Sequence, residues 1–126
     1  MSTTLPNVRV YEPGRDITAE VTGSPVTIKR FVKIAGNRTG AGSLAVTTAG
    51  VGERAFGVAA DNAAVGQLVR VARGGVVKVT ATGAIAAGAE VQVGAGGTVT
   101  TKAAGVAVGY AVTGAADTFD AQIALY

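Results

Sequence analysis

The residues that most often do chemistry are the ones this sequence lacks. It contains neither histidine nor cysteine. That removes the usual base for a serine nucleophile, every thiolate and every disulfide. Serine–lysine pairing is the remaining nucleophilic option, and Ser2, Ser24 and Ser43 sit in no recognisable motif for it. Paired carboxylates could run general acid–base chemistry. Of the eight acids, Asp117 and Asp120 are close in sequence, and a solvated loop accounts for them. Metal sites want clustered His, Cys, Asp or Glu, and no calcium-loop spacing is present. Gly94-Ala95-Gly96-Gly97 and Gly36-Asn37-Arg38-Thr39-Gly40 have the look of phosphate loops. A phosphate loop leads into a helix and carries its lysine, whereas these glycines lead into strand-like runs and read as turns. Lys78 and Lys102 lack the sequence context of a lipoyl- or biotinyl-bearing lysine. No catalytic, cofactor-binding or metal-binding residue is nominated, no cofactor is expected, and the chain does not read as an enzyme.

One segment does invite contact with another molecule. Residues 1–15 carry Pro6 and Pro13 around the extended run Val8-Arg9-Val10-Tyr11, and proline biases its neighbourhood toward extended backbone. This predicts an N-terminal arm, with Val8, Arg9, Val10, Tyr11 and Arg15 as the contact residues. Residues 16–126 are then the folded unit.

That unit is patterned for strands. From Ile17 onward apolar residues recur with period two. The runs are Val26–Ile28, Phe31–Ile34, Leu44–Thr47, Phe56–Ala59, Leu68–Val71, Val76–Val79, Glu90–Val93, Thr98–Thr100, Val106–Ala111 and Ala121–Leu125. Arg73-Gly74-Gly75 and Gly94–Gly97 each predict a hairpin turn. Helical signal is confined to Ala84–Ala89 and one turn at Asp61–Val65, where Asp61 could cap. Two internal echoes stand out. One pairs Gly57–Val71 with Gly109–Ile123, and the other pairs Ala64–Val71 with Ala86–Val93. The expected fold is all-β: a small single-domain barrel or sandwich of short antiparallel strands.

Bulk composition narrows the partners. The 126 residues include 19 glycines and only 5% aromatics. Small side chains remove little apolar surface from water, so the isolated chain should be modestly stable and gain from assembly. Net charge is +3, and the nearest approach to a basic cluster is Lys29, Arg30 and Lys33. A nucleic-acid binder gathers its cations on one face, often with stacking aromatics, so no nucleic-acid partner is expected. No apolar run approaches a membrane span and no signal-peptide pattern opens the chain, so no membrane partner is expected either.

From Phe31 to Leu125 the sequence resembles the head decoration, or structural cement, proteins of tailed bacteriophages. The pieces that carry the likeness are Phe56-Gly57-Val58-Ala59, Ala63-Ala64-Val65-Gly66, Gly74-Gly75-Val76-Val77, Ile85–Val91, Gly97–Thr100 and Val108-Gly109-Tyr110-Ala111. The resemblance implies a virion protein on the outer surface of the capsid. Its partners would be the major capsid protein and copies of itself, as a homotrimer at three-fold and quasi-three-fold positions. A tail or fibre domain or an adhesin is the alternative. A small carbohydrate-binding module would show exposed aromatics, which are few here.

Overall fold

The computed structural model describes residues 16–126. Residues 1–15, with the candidate contacts Val8, Arg9, Val10, Tyr11 and Arg15, lie outside the described residues. Ten strands follow one another: β1 (Ile17–Val21), β2 (Phe31–Ile34), β3 (Ala45–Thr48), β4 (Gly57–Ala59), β5 (Leu68–Ala72), β6 (Val76–Thr80), β7 (Glu90–Val93), β8 (Val99–Thr101), β9 (Gly109–Thr113) and β10 (Asp120–Leu125). One 3-10 turn at Ala95–Gly97 is the only helical piece among the described residues. The fold is all-β, as the period-two pattern implies. In β5, Val69 and Val71 point inward while Leu68 and Arg70 face out; in β1, Ile17, Ala19 and Val21 are buried in the same alternation.

The strands form two five-stranded sheets. β1-β3-β2-β4-β5 closes into a barrel, and β6-β10-β9-β7-β8 forms the second sheet. All ladders are antiparallel except β1 with β3. Glycine turns do not all make hairpins. Gly94–Gly97 does, joining paired β7 and β8. Arg73-Gly74-Gly75 does not: β5 pairs with β1 and β4, while β6 pairs with β10. Those three residues carry the chain from one sheet to the other. Asp61–Val65 and Ala84–Ala89 are not helical, and the Val26–Ile28 run contributes only a bridge from Val26 to Ala63.

The second sheet retraces the path of the first. Phe31 opposite Val58 and Val32 opposite Gly57 recur as Glu90 opposite Tyr110 and Val91 opposite Gly109. The backbone exchange between Val26 and Ala63 (2.9 and 3.1 Å) recurs between Ile85 and Ala115 (2.8 and 3.0 Å). The parallel pairing of β1 with β3 recurs as one parallel bridge, Ala81 to Val99. The first sequence echo, Gly57–Val71 with Gly109–Ile123, is this repeat. The second echo joins β5 to the approach to β7, which are not equivalent strands.

The repeat also explains the two non-glycine residues with left-handed backbone, Lys29 (φ 63°) and Thr118 (φ 71°). Their counterparts are Gly88 and Gly66. Gly66 N–H donates to the Val21 carbonyl at 2.8 Å, and Thr118 N–H donates to the Ala81 carbonyl at 3.0 Å. A β-branched residue in this region pays roughly 1–2 kcal/mol, and glycine's extra chain entropy returns part of that. Thr118→Gly is therefore expected to stabilise the fold by about 0.5–1 kcal/mol, read as a higher unfolding midpoint in urea. An unchanged or lower midpoint would contradict it.

The two units share a core. Val32 points into the barrel with Val21, Val46, Val69 and Val71, whereas its neighbour Phe31 points the other way. Phe31 and Val58 pack among Val79, Val91, Val99 and Ile123 of the second unit. The second unit needs this plug. In the barrel, Glu20 N–H donates to Leu44 and closes the β1–β3 seam. Its counterpart, Thr80 N–H, instead donates to the Lys29 carbonyl of the first unit at 3.0 Å. Gly97 lies over this joint with φ +81°, and a Cβ there would sit 2.8 Å from the Phe31 carbonyl oxygen. Only glycine meets both demands.

Candidate interaction surface

Where the units meet, the surface folds into a groove of about 530 Å³. Phe31, Ile34 and Phe56 line one side, Val106 and Tyr126 the other, and Arg73 and Gly74 close an end. The strands place these groups by alternation. Phe56 precedes β4, and its amide donates to the Val32 carbonyl at 2.8 Å. Arg73 leaves β5 and stacks its guanidinium 4.4 Å from the Phe56 ring centre. Its Nε also donates to the Phe56 carbonyl at 2.8 Å. A cation over an aromatic face is held by the ring quadrupole and stays planar and available at its edges. Also in the lining, Lys33 Nζ donates to both Glu53 oxygens at 2.9 and 2.7 Å. The Lys33 hydrogen bond, helped by the Gly50 amide, holds the Glu53 carboxyl below the usual carboxylate range.

Beyond the groove, the outer face of the second sheet carries three apolar residues in line, beside exposed Lys78, Gln122 and Glu90. Val76 of β6, Ala124 of β10 and Tyr110 of β9 lie in one row across the strands. Tyr126 stands at the rim, its ring 6.3 Å from that of Tyr110, and its hydroxyl donates to Glu90 Oε2 at 2.8 Å. That hydrogen bond keeps the phenol protonated to higher pH than usual. Val76 is 57% exposed, Tyr110 44% and Tyr126 69%.

The arrangement suits contact with a macromolecule better than chemistry on a small one. Lys33 and Glu53 are paired and Arg73 is stacked, and among the described residues no three side chains of metal-binding type come together. Asp117 and Asp120 do not act as a pair. Asp117 accepts the Gly83 amide at 2.8 Å, and Asp120 accepts from Lys29 Nζ at 2.8 Å and from the Thr80 hydroxyl at 3.2 Å. Sequence reasoning did not bring Val76, Tyr110 and Tyr126 together as one exposed surface. Alternation alone marks Tyr110 as outward, but only the register puts it beside Val76 and Tyr126.

The Lys29–Asp120 contact joins the two units and has a pH signature. Its hydrogen bond lowers the Asp120 carboxyl from 3.8, with partial burial opposing the shift. Because the folded-state value is the lower one, the contact's stabilisation is complete above the ordinary value. It is lost as pH falls through the folded value. Asp120→Asn is expected to flatten the acid-side fall in thermal midpoint below about pH 4. At pH 7 it should cost under about 1 kcal/mol, as befits a half-exposed pair. Parallel acid-side profiles for the two proteins would refute the assignment.

Against known proteins, the family described as phage cement protein matches residues 11–125. The match begins at Tyr11, inside the segment read as an arm. No curated protein matches the chain. Among solved structures, it is similar to the head fiber gp8.5 N base in bacteriophage phi29. The TM-score is 0.74 at 20% identity, over 89% of this chain and 93% of that one. At that identity the likeness is one of fold.

Proposed function

The chain belongs to the phage cement protein family, and from this premise we propose that it is a non-enzymatic decoration protein on the outer surface of a phage head. It stabilises contacts between neighbouring major capsid proteins and associates with copies of itself as a homotrimer at three-fold and quasi-three-fold positions. The observation that carries this reading is the family match over residues 11–125. The physical character of the chain supports it. Its core is mostly valine and alanine, which suits a protein that gains stability from its lattice. Cyclic self-association buries surface without open-ended growth. In this reading Val8, Arg9, Val10, Tyr11 and Arg15 reach the capsid as an extended segment, with backbone pairing available to a neighbouring sheet.

The test is binding of the purified protein to heads that lack it, with occupancy read by electron microscopy. Saturable density at three-fold positions, with heads that better withstand heating, is the expected result. Absence of binding to any head form would overturn the reading. Removal of residues 1–15 is expected to weaken head binding by at least about tenfold, or 1.4 kcal/mol, while the β domain stays folded. Undiminished binding would sink the arm assignment alone. A second reading has an observation of its own. The likeness to a head fiber base favours a base that seats a longer projection on the head. Density extending well beyond the two β units would select it.

A further inference from the structure

The charges lining the groove between the two units do not balance. They are Lys33, Glu53, Arg54 and Arg73. Lys33 and Glu53 neutralise each other at 2.7 Å, which leaves two guanidinium groups. The ion pairs among the described residues are Lys29–Asp120, Lys33–Glu53 and Arg70–Asp61, so neither Arg54 nor Arg73 has a carboxylate partner there. Both arginines are exposed. Arg73 is also fixed in place. Its guanidinium lies 4.4 Å from the Phe56 ring centre, and its Nε donates to the Phe56 carbonyl at 2.8 Å. Those contacts use the guanidinium face and Nε, so the two terminal nitrogens keep donors in the fork that matches a carboxylate. Beside these cations, Ile34, Val106 and Tyr126 are large hydrophobic side chains left open to solvent.

We infer that this groove seats a short acidic segment of the major capsid protein, with its carboxylate on Arg54 and Arg73 and its apolar side chains against Ile34, Phe56 and Val106. This deepens the proposed function by giving the capsid contact a surface and a chemistry, and it rests on that reading for the partner itself. Charge selects the partner. Residues 1–15 of the chain itself carry Arg9 and Arg15 against Glu12, so they bring a net positive charge to a positive groove. A second copy brings a chain of net charge +3. An acidic segment of a different protein is the complementary occupant. Size selects a segment rather than a domain face, because about 530 Å³ falls within the roughly 300–1,000 Å³ of binding clefts. Two free cations beside aliphatic walls do not make a nucleic-acid site, which gathers many cations on one face.

Co-sedimentation of the full chain with heads that lack it tests this at low and at high salt. Arg54→Glu and Arg73→Glu are each expected to raise the dissociation constant by at least about tenfold at low salt, because each turns an attraction into a like-charge repulsion. The gap should narrow at high salt. Arg54 forms no ion pair among the described residues, so its variant reads the groove without disturbing the Arg73–Phe56 stack. Circular dichroism and the urea midpoint should show its fold unchanged. Wild-type binding with both glutamate variants unimpaired overturns the inference and leaves the cement reading standing. A wild type that binds no head overturns that reading and the inference with it. The same substitutions in the chain lacking residues 1–15 identify the occupant. A further loss by the same factor supports the capsid segment, since independent contacts add. Absence of any further loss would give the groove to the chain's own first residues. Weakened self-association in sedimentation velocity, with head binding intact, would give it to a second copy. Either of these two results overturns the inference.

Discussion

Phe31→Ala is expected to be the most damaging side-chain truncation in the described chain, lowering unfolding free energy by about 3–5 kcal/mol. Phe31 is fully buried and the largest side chain in that condition. It belongs to a strand of the barrel yet fills the core of the second unit beside Val79, Val99 and Ile123. Its removal leaves a cavity where the second sheet is least complete. β6 and β8 meet there by a single bridge, and Thr80 already relies on the Lys29 carbonyl. The surrounding valines and alanines have little reach to refill the space, which puts the cost toward the upper end. Domains of this size have total stabilities of about 5–15 kcal/mol, so this loss is a large share. Urea unfolding at 25 °C followed by circular dichroism reads it directly. Val46→Ala, deep in the barrel but not at the joint, is the control at about 2 kcal/mol. If both variants cost the same, Phe31 is an ordinary core residue and the account of the joint fails.

The barrel's strands were legible because each buries one face. Val69 and Val71 alternate with Leu68 and Arg70, and period two reports that alternation. The joint was not legible for the same reason. β2 opens with Phe31 and Val32 buried side by side, one in each core, and a strand buried on both faces has lost its alternation. The connection at Arg73-Gly74-Gly75 shows a different limit. Both glycines have left-handed backbone (φ 73° and 68°), as hairpin glycines often do. Local chemistry therefore could not separate a hairpin from a passage between sheets. What decides is closure of β5 onto β1, roughly fifty residues apart in sequence, where Val69 pairs with Ala19 and Val71 with Ile17. Of the interaction surface, Tyr110 was visible as an outward residue between inward Gly109 and Ala111. Val76 comes from β6 and Tyr126 from just past the end of β10, and only cross-strand register unites them with Tyr110.

Gly109→Ala is expected to cost about 2–3 kcal/mol, although alanine is ordinarily a mild replacement. The reason is space. A Cβ at Gly109 would overlap the Ala124 carbonyl oxygen and sit 2.9 Å from Ile123 Cγ2 and 3.1 Å from the Ala124 carbonyl carbon. Two of these three obstacles are backbone, so β9 and β10 must separate to make room. The same constraint holds at the equivalent position of the barrel, where a Cβ on Gly57 would lie 2.5 Å from the Ala72 carbonyl oxygen and 2.6 Å from Val71 Cγ1. Gly57→Ala should therefore cost about as much. Gly40 supplies the contrast. Its Cβ would meet nothing within 4 Å, so Gly40→Ala should be neutral or slightly stabilising through the unfolded chain. If Gly109→Ala behaved like Gly40→Ala in unfolding, the close approach of β9 to β10 would be ruled out as a structural requirement.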